Sequence, residues 1–123
     1  MATCETKILG GGDVSLTGEI SGEFRPAGLT VGGLVTEVVI DDAMWYPLPP
    51  SPLANRNAIS VQNQNLTATG LECKLNYSAA VVGYVGPIVY AQGERFYSIT
   101  DNIILYAKAK TGQTFTLTIE ELA

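Results

Sequence analysis

The sequence contains no histidine. That excludes Ser-His-Asp triads, Cys-His dyads and metal sites built on imidazole. Its two cysteines, Cys4 and Cys73, have the wrong number and spacing for a disulfide framework or a zinc site. Free thiols and assembly in a reducing cytoplasm are therefore expected. Charge is scarce: 15% of residues are charged, against about 25% in an average soluble domain. Part of so weakly charged a surface is expected to be covered by partners. Seven basic residues against twelve acidic ones leave a net charge of −5, and Arg25, Arg56 and Arg95 are scattered. Nucleic-acid binding depends on concentrated positive charge and is disfavoured. No apolar run approaches about 18 residues, so no transmembrane helix is predicted. No basic region leads into an apolar core near Met1, so no secretory signal is predicted either. Gly10-Gly11-Gly12-Asp13 lacks the following Lys-Ser/Thr of a phosphate-binding loop.

Long helical patterns are missing too, and what remains is β. Phe115, Leu117 and Ile119 alternate with Thr114, Thr116 and Thr118. A period of two puts the apolar side chains on one face of a strand and the threonines on the other. Ile103–Ala107 is a near-continuous apolar run, and Gly112 supplies the positive φ of a short turn. The two segments, Ile103–Lys108 and Gln113–Glu120, read as a β-hairpin on which the rest of the chain packs. Further strands are expected at Leu34–Ile40, at Ala58–Val61, at Leu71, Cys73, Leu75 and Tyr77 in alternation, and at Arg95–Ile99. Pro87–Tyr90 reads as a short edge strand, with proline tolerated at its start. Pro47, Pro49, Pro50 and Pro52 fall within six positions and read as an extended connector rather than a central strand. Short strands with turns between them define an all-β chain, a small antiparallel β-sandwich or jelly-roll-like barrel over residues 34–123, with the Pro-rich connector at 47–52.

Residues 1–33 hold eight of the 13 glycines. Val14–Ile20 is a possible strand, but the segment lacks the apolar density of a core. The expectation is an extended Gly-rich arm that orders on another surface or subunit; the alternative is a plain flexible tail. Candidate catalytic carboxylates are Glu94 with Asp101, or Asp41 with Asp42, and nothing in the sequence ties either pair to a cleft. Glu120 and Glu121 read as a solvated end or an inter-subunit surface. The aromatic residues, six of them tyrosines, suit protein–protein anchors, with a sugar-binding platform as the less favoured reading.

One longer pattern runs through the chain: Trp45-Tyr46-Pro47-Leu48-Pro49, Arg56 through Gln64, Asn76-Tyr77, Gly93 through Thr100, Ile104 through Lys108, and Ile119-Glu120-Glu121-Leu122-Ala123. Upstream, Leu16-Thr17-Gly18, Ser21 through Phe24 and Gly28-Leu29 extend it. This order resembles small structural proteins of tailed-bacteriophage virions. The resemblance implies a non-enzymatic, homo-oligomeric subunit, either a capsid decoration (cement) protein or a head–tail connector, collar or tail accessory protein. Its partners would be the major capsid protein, or portal and tail proteins, within the virion. It supplies no catalytic, cofactor-binding or metal residues, and no direct contact with nucleic acid or membrane is expected. The contact residues expected on this reading are Phe24, Arg25, Leu29, Trp45 and Tyr46. A carbohydrate-binding or fibre-anchoring module is the alternative from another class.

Overall fold

The computed structural model describes residues 32–123. The order of elements is β1 Gly33–Asp41, β2 Tyr46–Leu48, β3 Ala58–Gln62, a 3-10 turn Thr67–Thr69, β4 Cys73–Asn76, β5 Ile88–Val89, β6 Glu94–Tyr97, β7 Leu105–Ala109 and β8 Thr114–Leu122. Two four-stranded sheets form, in the orders β1-β8-β3-β6 and β2-β7-β4-β5. Every pairing is antiparallel. The sheets pack face to face as a β-sandwich. The core between them is made of Ile40, Leu48, Ile59, Val61, Leu75, Leu105, Leu117 and Ile119, among others. The expected Gly-rich arm and the Val14–Ile20 strand lie outside the described residues.

β8 is the centre of the first sheet, between β1 and β3. Its alternation does what the pattern requires: Phe115, Leu117 and Ile119 are buried, while Thr114 and Thr116 are exposed. Burying those three side chains contributes roughly 5–9 kcal/mol before chain entropy is counted.

Two expectations are corrected. β7 and β8 do not form a hairpin. β7 pairs with β2 and β4 in the second sheet, and β8 pairs with β1 and β3 in the first. The tight turn exists, closed by Gln113 N–H donating to Lys110 O at 3.0 Å, with Gly112 at φ +83°. It carries the chain across the core instead of back along one sheet. Alternation fixes which face of a strand is buried; it does not fix which strand lies alongside.

Nor is the proline run only a connector. Pro47 lies inside β2, opposite Tyr106 of β7. β2 is an edge strand, where a residue without an N–H leaves no ladder bond unmade if it faces outward. The segment therefore does not divide the chain, because β1 and β2 each supply a strand to a different sheet.

One end of the sandwich is closed by a buried ion pair. Arg56 Nη1 lies 2.9 Å from Glu121 Oε2, with both side chains fully buried. Arg56 Nη2 donates to Thr100 O at 2.8 Å and Ile103 O at 2.6 Å, and Leu53 N–H donates to Glu121 Oε2 at 3.0 Å. This clasp joins the 49–57 loop, the 100–103 turn and the end of β8. Glu121 is thus an interior residue, not a solvated end. It follows the inward parity of Phe115, Leu117 and Ile119.

Candidate functional site

The carboxylates named from sequence are mostly engaged in turns. Asp41 Oδ1 accepts from Ala43 N–H at 2.8 Å and from Tyr46 O–H at 2.6 Å. The Tyr46 hydroxyl, then the Ala43 amide, hold the Asp41 carboxyl below its ordinary value. Asp42 Oδ2 accepts from Gly112 N–H at 2.7 Å, and Asp101 Oδ2 from Asn55 N–H at 3.3 Å. Glu94 begins β6, while Asp101 lies in the turn beyond its other end, so the two are not gathered in one cleft. Among the described residues no group of three or more Asp, Glu or Cys side chains is placed to hold a metal ion.

The expected contact residues fare differently. Phe24, Arg25 and Leu29 lie outside the described residues. Trp45 is only 3% exposed, and its indole N–H donates to Val81 O at 2.9 Å. A large apolar ring beside a short edge strand is covered by the chain's own β4–β5 loop, so it presents no surface to a partner. That loop crosses the outer side of the second sheet. Lys74 and Asn76, the outward residues of β4, meet Tyr84 (ammonium 4.8 Å from the ring centroid) and Val85 O (3.0 Å). Tyr46 is half-buried against the core, its hydroxyl committed to Asp41.

A concave surface lies elsewhere, at the open side of the sandwich where β5 and β6 are the edge strands of their sheets. A groove of about 450 Å³ runs between them, lined by Ile88, Val89, Tyr90 and Gly93 through Tyr97. Arg95 has the inward parity of Tyr97, and its Nε donates across the gap to Ile88 O at 3.0 Å. Burial, then the neighbouring Tyr77, push the Tyr97 phenol above its ordinary value, with Arg95 opposing. Phe96 and Tyr90 are 58% and 61% exposed. Tyr77, expected to face inward, instead follows the end of β4 and is exposed.

A second depression of about 350 Å³ continues the groove past Gly93 and Glu94, lined also by Gln62, Asn63, Gln64 and Gln92. Its side chains are already oriented. Gln64 Nε2 donates to Gln62 Oε1 at 3.0 Å, Gln62 Nε2 to Ser60 Oγ at 3.1 Å, and Ser60 Oγ to Glu94 Oε2 at 2.6 Å. Gln92, at φ +64°, donates to Gln64 O and Asn65 O and so fixes the turn between β5 and β6. The sequence showed a strand at Arg95–Ile99, which the structure places at Glu94–Tyr97, and the aromatic residues. It marked the β5 segment as a short edge strand, but carried no signal that β6 is an edge too or that the two border one groove.

The opposite edge of the first sheet is β1. Among the described residues this nine-residue strand has a hydrogen-bonded neighbour on one side only, β8. Val38 and Ile40 face the core, while Val35 and Val39 are each 62% exposed and Leu34 is exposed as well. Gly32 is pinned at its start by reciprocal backbone bonds with Ala123, at 3.0 and 2.8 Å.

Comparison of the chain with protein-family models and with curated proteins finds no match.

Proposed function

We propose that the chain is a non-enzymatic structural subunit of a tailed-phage virion, acting as a decoration protein that cements the capsid shell. The observation that carries this reading is the β1 edge. Long edge strands invite pairing, and proteins that work alone blunt them with lysine, proline, a bulge or a covering element. Among the described residues β1 has no lysine, proline, bulge or covering element; its one exposed charge is Glu37, and it adds exposed Leu34, Val35 and Val39. Such an edge suits a subunit that joins other chains, giving main-chain hydrogen bonds together with apolar contact. The quoted sequence pattern supports the virion setting, and the engagement of Asp41, Asp42 and Asp101 in turns supports a non-catalytic role.

In this account residues 1–31 lead into β1 at Gly32 and dock on the neighbouring subunit through Phe24, Arg25 and Leu29. Docking would trade chain entropy for contact area. Co-sedimentation with particles stripped of this protein tests both parts. The double variant Val35→Lys/Val39→Lys should stay folded, because both positions are exposed, and should lose particle binding. Removal of residues 1–31 should do the same. Full binding by either variant contradicts the part it tests.

A further inference from the structure

We infer that the open side between β5 and β6 is a binding site for a neutral oligosaccharide. The inference is independent of the virion reading and rests on the groove alone.

Its chemistry selects the ligand class. Tyr90 and Phe96, both largely exposed, are among the residues that line the groove, Phe96 from the outer face of β6. Sugar rings carry an apolar C–H face that stacks on such rings, and their hydroxyls need paired donors and acceptors close by. The continuing depression supplies these from Gln62, Gln64, Gln92 and Glu94. The Gln64–Gln62–Ser60–Glu94 chain holds those groups in place before any ligand arrives, which lowers the entropy cost of binding. Among the described residues Glu94 Oε1 has no hydrogen-bond partner, so it is available to accept from a hydroxyl. Arg95 is anchored through Nε, with the rest of its guanidinium at the groove.

Other ligand classes fit less well. Glu94 stands where the two depressions meet and repels phosphates and other anions. The single Arg95 cannot neutralise a nucleic-acid backbone. A purely apolar ligand would leave Glu94, Arg95 and the amides without partners. An extended, open groove also suits a chain of sugar units better than one compact molecule.

β6 and β1 are the two opposite edges of the first sheet. A molecule held through β1 therefore presents the groove on its far side.

The test uses the full chain on an array of bacterial capsular and O-antigen repeat units together with animal glycans, followed by calorimetry with the oligosaccharide giving the highest signal. Phe96→Ala and Tyr90→Ala should each weaken binding by about tenfold or more. Both positions are exposed, so a thermal melt should show the variants folded. Glu94→Gln should weaken binding without changing the melt midpoint appreciably, and Val35→Lys on the opposite edge should leave binding unchanged. No signal on the array, equal affinity in Phe96→Ala and Tyr90→Ala, or capture of an extended peptide in place of any glycan would overturn the assignment. Particle co-sedimentation is read separately, so failure here leaves the virion reading standing, and the converse holds.

Discussion

Arg56 and Glu121 show how a single pair can hold an end of this sandwich. Both are buried, and the guanidinium also binds the carbonyls of Thr100 and Ile103. Arg56→Met leaves Glu121 charged and unpaired in the interior. It should cost about 3–5 kcal/mol in chemical denaturation. Arg56→Met/Glu121→Leu should recover part of that loss, because no buried charge remains. Recovery should be incomplete, since Leu53 N–H and two carbonyls lose their partner. A single variant as stable as the parent would show that the clasp is incidental. Cys73 offers a second test: burial, then Glu72, push its thiol up to about 12. Alkylation at pH 8 followed by peptide mapping should find Cys73 unmodified in the native protein and modified in denaturant. A third concerns pH. The Asp41 carboxyl is depressed in the folded state, so its contribution is complete above the unfolded value of about 3.9 and is lost as pH falls through the folded value. Tyr46→Phe removes the main cause, so Asp41 should titrate closer to its ordinary value by NMR. The sequence reading of Glu121 as a solvated end or inter-subunit surface was wrong, although its parity with Phe115, Leu117 and Ile119 carried the inward position. The role of Arg56 was not legible in the sequence: its partners lie 44 to 65 positions away.

At the scale of elements, periodicity carried much of the information. The inward faces of β4 and β8 follow from alternation, and the shortness of β5 from its flanking proline and turn; β1 was legible as a strand from its β-branched content, but the run Val38-Val39-Ile40 did not show which face is buried. What alternation could not supply was pairing. The step from β7 to β8 has the length and glycine of a hairpin, yet the two strands belong to different sheets. The edge position of β6, and with it the groove, followed from that same missing information. Connections matter as much as strands. The β4–β5 loop returns at Gly86, which has φ +142°, and a Cβ there would overlap the Leu75 carbonyl. Gly86→Ala should therefore destabilise the fold by about 2 kcal/mol or more, measured by urea unfolding. An unchanged midpoint would mean that the loop can shift away without consequence.

Across the whole molecule, the outer face of the first sheet links its two edges, the β1 strand proposed for assembly and the β6 groove proposed for recognition. Val35, Glu120, Ser60 and Phe96 stand in one cross-strand row, and Glu37, Thr118, Gln62 and Glu94 in the next. One end of each row is the β1 edge, which among the described residues pairs only with β8, and the other is the β6 groove. The proposed assembly through the first and the proposed recognition at the second would thus not compete for surface. The virion role is the central claim, and composition of the particle tests it most directly. Quantitative mass spectrometry of purified phage encoding this chain should find it in copy number comparable with the major capsid protein. A few copies per particle would move it from the shell to the unique vertex or tail. Complete absence from the particle would contradict the account.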